Sequence, residues 1–353
     1  MYDLFMQNTY NSEQKVYQLF MLGFDCDNLD DENSNLAIAL KKGLGGIILF
    51  TRNIKTIDQT KKLNEQASEL AIIPPLLSID EEGGRVERTE NIFGGKKFLS
   101  ARYAAQKGEE FLINQTIEIA NLLKSMGFNL NYAPCVDVNT NPENPIIGER
   151  AFSDNVDEVI KYGKLVNKTY LKHGILTCTK HFPGHGDAQA DSHKTLPEID
   201  LPIEVMKNVH IKPFACVQSP MMMVAHLHCS AFDDKVIPSS LSKNVIDYAR
   251  NVMKYDGVLI SDDMIMGAIS GAQNVSIHAG INEVVYNPDK MLNSAVAALK
   301  AGVNMLMYRC SSNEIINLIE NIIEIAKSDK ELLRSIETSY NRVKALKDMH
   351  FGL

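Results

Sequence analysis

Ile175-Leu176-Thr177-Cys178-Thr179-Lys180-His181 (ILTCTKH) runs directly into FPGHGDAQADSH, which ends at His193. An apolar run of this length, closed by polar residues, reads as a strand covered on both faces, as in a parallel sheet under helices. Pro183 then denies the chain a helix, and Gly184 and Gly186 strip the turn of bulk. The continuation carries His181, His185, His193, Asp187, Asp191 and Lys180 with almost nothing apolar between them. A segment that builds core has no use for such residues. The stretch is a strand that opens into an active-site loop.

The same design recurs. Strand-length apolar runs stand at Gln18–Asp25 (QLFMLGFD), Gly45–Phe50 (GGIILF), Pro75–Asp80 (PLLSID) and Asn129–Pro134 (NLNYAP). After Ile175–His181 they return at Met221–Leu227 (MMMVAHL), Gly257–Asp263 (GVLISDD) and Asn304–Arg309 (NMLMYR). Segments of helical period lie between them, among them Thr56–Leu70, Glu109–Met126, Val156–His173, Lys290–Ala301 and Ser312–Ser328. The charged, amphipathic Lys330–Met349 is expected to pack outside. Eight strands alternating with helices predict an α/β fold, a (β/α)8 barrel of the TIM type. No Pro/Ser-rich linker or low-complexity tract divides the chain, so residues 1–353 are read as one catalytic domain.

Composition agrees. The 353 residues are 45% hydrophobic, enough for a full core. Net charge is −8, and the basic residues are scattered rather than striped, which argues against a nucleic-acid partner. The start, Met1-Tyr2-Asp3-Leu4-Phe5, lacks the basic and long apolar regions of a signal peptide. No apolar run approaches the ~18 residues of a membrane span. None of the six cysteines forms a CxxC, and several sit in strand-like runs, so free thiols are expected. A cytoplasmic protein follows, with a monomer expected and no membrane partner.

In a barrel, chemistry sits at the C-terminal ends of the strands. The residues expected there are Asp80 and Arg85, Asp137 and Arg150, Lys180 and His181, His226 and His228, Asp262 and Asp263, and Arg309. Charges that end greasy strands are costly unless paired or used. Their convergence predicts a site for a polar, hydroxyl-rich ligand. Asp262 has four readings: nucleophile, base, metal ligand or ion-pair partner. Asp191-Ser192-His193 is either a carboxylate-oriented imidazole or a surface turn. Asp80, Arg85 and Arg150 suit sugar hydroxyls or a carboxylate, or else ordinary ion pairs. His181 and His185 have the i, i+4 spacing of metal ligands, with His226 and His228 near. Pro183 and Gly184 break the helix that would align them, so neither a metal nor another cofactor is expected.

At this point the motifs resemble a known family. Lys180–Asp187 (KHFPGHGD) with Asp191-Ser192-His193 is similar to the signature of bacterial single-domain β-N-acetylglucosaminidases of glycoside hydrolase family 3. GGIILFTRN at Gly45–Asn53, IDEEGGRVER at Ile79–Arg88, NYAPCVDVN at Asn131–Asn139, NPIIGERAF at Asn144–Phe152 and VLISDDM at Val258–Met264 extend the likeness over roughly residues 18–346. The resemblance implies hydrolysis of terminal β-linked N-acetylglucosamine with retention, through a covalent glycosyl–enzyme. It makes Asp262 the nucleophile and His193 the acid/base, partnered by Asp191. It makes Asp80, Arg85, Arg150, Lys180 and His181 the residues that grip the terminal sugar. It implies an amino-sugar substrate, N-acetylglucosaminyl-1,6-anhydro-N-acetylmuramic acid with or without peptide, in cell-wall recycling. An imidazole acid/base adds no negative charge, which keeps a phosphorolytic variant open. A non-catalytic sugar-binding relic and a metal-dependent hydrolase are two further readings of the same residues. Two departures stand out. Glu81 replaces the family's usual Gln and is expected to add charge near Asp80. Gly267–Asp289, with His278 and Tyr286, is longer than expected and suits a lid or a dimer contact. No second C-terminal domain that would supply a glutamate acid is expected, which favours the histidine mechanism.

Overall fold

The computed structural model describes residues 11–188, 196–266, 269 and 287–352. The eight apolar runs form eight strands: β1 (Phe20–Leu22), β2 (Gly46–Leu49), β3 (Leu76–Ile79), β4 (Leu130–Asn131), β5 (Leu176–Phe182), β6 (Met221–Val224), β7 (Val258–Asp263) and β8 (Met305–Tyr308). They pair in parallel and in sequence order, and β8 closes on β1. Every residue of β2, β3, β5, β6 and β8 is buried, which is why their sequences do not alternate. Gly45 and Gly46 let β1, β2 and β3 approach closely; a Cβ there would overlap the carbonyl of Gln18 or press on that of Leu76.

Helix boundaries follow their caps. The period read from Thr56 becomes a helix at Ile57–Leu70, because the Thr56 side chain accepts the Gln59 N–H at 3.1 Å. The helix expected from Lys290 starts earlier, at Pro288, with Asn287 as its cap. The last helix runs Lys330–Phe351 and stops at Gly352, whose φ of 69° suits glycine. It lies outside the barrel, as expected, and buries Leu332, Ile336, Tyr340, Val343 and Leu346. Lys347 is buried with them, its Nζ donating to the Gln18 side-chain oxygen at 2.8 Å.

Two irregularities in the barrel matter for the site. Between β5 and β6, Thr179 pairs with Met222 and Phe182 with Val224, so β5 carries one extra residue around Lys180–His181. Between β7 and β8, Ile260 pairs with Met305 and Asp263 with Met307, so β7 carries one around Ser261–Asp262. Each is a β-bulge, which bends a strand and re-aims its side chains. Ser261 Oγ repairs the second ladder by accepting the Met307 N–H at 3.1 Å.

Candidate active site

The C-terminal mouth of the barrel encloses a cavity of about 140 Å³. Asp80, Arg88, Arg150, Lys180, His181 and Asp262 line its polar side, and Met223, Met266 and Met307 line its apolar side. The polar wall is a continuous network. Lys180 Nζ lies 2.5 Å from Asp80 and 2.5 Å from Glu82. Arg150 donates twice to Glu82, at 2.9 and 2.8 Å, in the fork geometry that suits a carboxylate. A third contact of Arg150 reaches His181 Nε2 at 3.1 Å. Guanidinium only donates, so Nε2 accepts. His181 Nδ1 therefore carries the proton and donates to Asp137 at 2.7 Å.

The charges hold one another in place. Burial disfavours the charge on Glu82, but the Arg150 and Lys180 charges outweigh it and hold the carboxyl well below the usual range. Burial likewise opposes the Lys180 ammonium, and Asp80 with Glu82 raises it above its ordinary value. For Asp137, burial is overcome by the His181 and His185 rings and their bonds, which leave it at about 2. Asp137 also accepts the backbone N–H of His181 at 3.0 Å and of His185 at 2.6 Å. One buried carboxylate thus ties down His181 and His185 together.

The loop itself is stitched to the segment after β4. Asn144 donates to the His185 carbonyl at 2.8 Å, and Asn141 N–H donates to that of Gly186 at 3.2 Å. At Gly186 only glycine fits, because a Cβ would overlap the Val138 carbonyl. His185 lies inside this seam, where burial and then His181 push its imidazole down to about 4. Asp191 and His193 lie outside the described residues, as do His278, Tyr286 and most of the Gly267–Asp289 stretch.

Asp80, Arg150, Lys180, His181 and Asp262 all line the one cavity. Arg85 is a correction: it is absent from the lining. Its guanidinium donates to the carbonyls of Pro145, at 2.9 Å, and Ile146. Arg88 lines the cavity instead, with Nη2 3.9 Å from Asp80 and its guanidinium over the Phe50 ring. The cause is a hairpin. Glu81–Gly83 pairs antiparallel with Val86–Glu87, and Glu81 sits opposite Glu87. Asp80 and Arg88 flank that pair, while Arg85 is left at the turn. Gly83-Gly84, where the first arm enters the turn, is the signal that could have shown it.

Glu82 is the residue that sequence reasoning missed most clearly. Glu81, expected to add charge near Asp80, turns into the hairpin instead. Its carboxyl accepts the N–H groups of Arg88 and Thr89 at 2.8 and 3.1 Å and the Thr89 hydroxyl at 3.1 Å. Burial, then the charge of Glu87, pushes it up to about 8.

On β7, Asp262 accepts the Asp263 N–H at 2.7 Å. Asp263 faces Arg309 Nε at 3.3 Å, and burial raises its carboxyl despite that cation. For a metal, the donor set among the described residues is Cys135, Asp137 and His181, with ligand atoms within 4.8 Å of one another. Cys135 donates to Asp137 at 3.3 Å, and burial plus Asp137 pushes its thiol well above the ordinary range. Metals take thiolates, and the Asp137 oxygens are already matched by donors, so the group fits a hydrogen-bond network better than a metal centre.

A parallel eight-stranded barrel whose mouth is lined by carboxylates and cations offers a concave site for a polar ligand. The chain belongs to the family described by the glycosyl hydrolase family 3 N-terminal domain, which matches residues 11–346. It is 35% identical over 251 residues to β-hexosaminidase A of Pseudoalteromonas piscicida, an alignment covering 64% of this chain and 42% of that protein. A β-hexosaminidase of Neisseria meningitidis serogroup B is 30% identical over 69% of each. The solved structure of a family 3 β-N-acetylglucosaminidase from Paenibacillus sp. superposes with a TM-score of 0.82 at 29% identity, over 97% of this chain and 63% of that one. The chain thus spans less than two thirds of two of these three proteins. No described helix is long and apolar enough to cross a membrane.

Proposed function

We propose that this protein is a retaining exo-β-N-acetylglucosaminidase. One observation carries the reading: Asp262, re-aimed at the bulge of β7, lines the same cavity as Asp80, Lys180, Arg150, His181 and Arg88. Family membership and the names borne by its relatives support it. Lys180 and Arg150 each engage Glu82, so the wall keeps its geometry before a sugar arrives and loses little entropy when one binds. Asp80, Arg88, Arg150, Lys180 and His181 would bond the hydroxyls of the terminal sugar.

Asp262 attacks the anomeric carbon and forms a glycosyl ester. His193, oriented by Asp191, protonates the departing oxygen, then takes the proton from the water that cleaves the ester. Two inversions give net retention. Retaining glycosidases ordinarily pair two carboxylates in these roles. Here the second role falls to an imidazole, which adds no negative charge to a mouth that already holds Asp80, Asp262 and Asp263. The substrate in this reading is N-acetylglucosaminyl-1,6-anhydro-N-acetylmuramic acid or its peptides, and the setting is cytoplasmic cell-wall recycling.

Turnover of a chromogenic β-N-acetylglucosaminide tests this, with the anomer of the product read by NMR. Asp262→Ala is expected to lose at least ~10³-fold in kcat, as removal of an essential nucleophile does. Wild-type activity in that variant, or an inverted product, refutes the assignment. Product formation is expected to be the same with and without phosphate.

A further inference from the structure

We propose that His226 is a positioning residue that sets the distance between the bulged end of β7, with its nucleophile, and the sugar-gripping end of β5. The inference rests on Asp262 being the nucleophile. It starts from the place where one strand pairing ends. From Val258 to Ser261, β7 pairs with Met221–Val224 of β6 through the backbone. That register ends where the bulge begins. Two residues later the Asp263 carbonyl is met by a side chain: His226 Nε2, at 3.1 Å.

That ring is held from behind. A carbonyl only accepts, so Nε2 carries the proton and Nδ1 must accept. Ser240 Oγ, 2.7 Å from Nδ1, is the donor. Ser240 is fixed in turn, because its N–H donates to the Ala225 carbonyl at 3.2 Å. His226 and Ser240 are both buried, so water does not compete for these bonds.

The residue beside His226 faces the other bulge. Ala225 N–H donates to the Phe182 carbonyl at 2.8 Å, just past Lys180 and His181 on β5. The Ala225-His226 dipeptide at the end of β6 therefore grips both irregular strands, β5 through its backbone and β7 through its ring. Asp262 is linked to this grip through Asp263, whose N–H it accepts at 2.7 Å and whose carbonyl the ring holds. His226 itself does not line the cavity. It acts through the alignment of Asp262.

The test measures kcat and KM separately on the chromogenic β-N-acetylglucosaminide for His226→Phe, His226→Gln and Ser240→Ala, beside Asp262→Ala. His226→Phe fills the space and cannot donate. Its kcat is expected to fall about 100-fold, the scale of a misplacement near 1 Å, while KM stays within about threefold because the gripping wall is intact. His226→Gln keeps a donor and is expected to recover to within about fivefold of wild type, the worth of one ordinary hydrogen bond. Ser240→Ala, which removes the donor to Nδ1, is expected to lose about fivefold in kcat. A His226→Phe enzyme with wild-type kcat overturns the proposal, as does equal loss in the Phe and Gln variants. If His226→Phe fails to fold, an unchanged kcat in Ser240→Ala overturns it. Activity in Asp262→Ala would instead refute the underlying reading of the site, whatever His226 does.

Discussion

Replacing Lys347 with Met should stabilise the protein at mildly acidic pH and cease to do so at alkaline pH. Lys347 lies on the buried face of the last helix, and burial pushes its ammonium down from 10.5 to about 7. Below pH 7 the folded protein must hold a charge that the interior disfavours. Between 7 and 10.5 the unfolded chain binds the proton and the folded one does not, so stability rises with pH over that window. At 1.36 kcal/mol per pH unit, the burden near pH 6 is about 5 kcal/mol, and near pH 9.5 about 1 kcal/mol. Met has a similar length and no charge. The change leaves the Gln18 oxygen without its donor, which costs about 1–3 kcal/mol. Lys347→Met is therefore expected to gain about 2–4 kcal/mol near pH 6 and to gain nothing or lose slightly near pH 9.5. Melting followed by circular dichroism, wild type beside variant at both pH values, measures the gap; a few degrees are expected near pH 6. A gap that does not change with pH, or a variant that melts lower at pH 6, refutes a buried, depressed lysine at this position.

Other outcomes concern the mouth. Arg88→Ala is expected to lower kcat/KM about 10- to 100-fold, the worth of a charge-assisted bond, whereas Arg85→Ala stays within about fivefold; the reverse ranking would return Arg85 to the sugar. Glu82→Gln leaves Lys180 and Arg150 with one charge too few among the buried carboxylates. It is expected to lose about 3–5 kcal/mol of stability along with activity, and an unchanged melting temperature would show that the network is not what holds the wall.

The barrel was legible because both faces of its strands are buried, the outer one under helices and the inner one in the barrel interior. Burial on both sides leaves an unbroken apolar run, and a run such as MMMVAHL has no other reading at that length. The place of Asp262, Lys180 and His181 at the mouth was legible for a related reason: a charge that closes such a run must be paired or used. Arg88 and Glu82 were not. Their place depends on a hairpin whose arms are two and three residues long, too short to carry a pattern. Glu82 meets Lys180 and Arg150 only through the pairing of neighbouring strands, and no local signal records a partner 68 or more residues away. Helix ends were legible to within the reach of a cap. The bulges were invisible in principle, since an extra residue exists only relative to a neighbouring strand, and the sequence states no register.

That relativity has a genetic consequence. Side chains alternate along a strand, so one added residue exchanges the inward and outward sets downstream of it. Lys180 and His181 on β5, and Asp262 on β7, stand where this exchange happens. Loss of a single codon at either place would leave the apolar runs almost unchanged while turning the chemistry toward the wrong side. Deletion scanning of the two strands is therefore expected to yield proteins that still make a barrel and no longer have a mouth that works. In this chain, function hangs on two residues' worth of length more than on the composition of the strands that carry it.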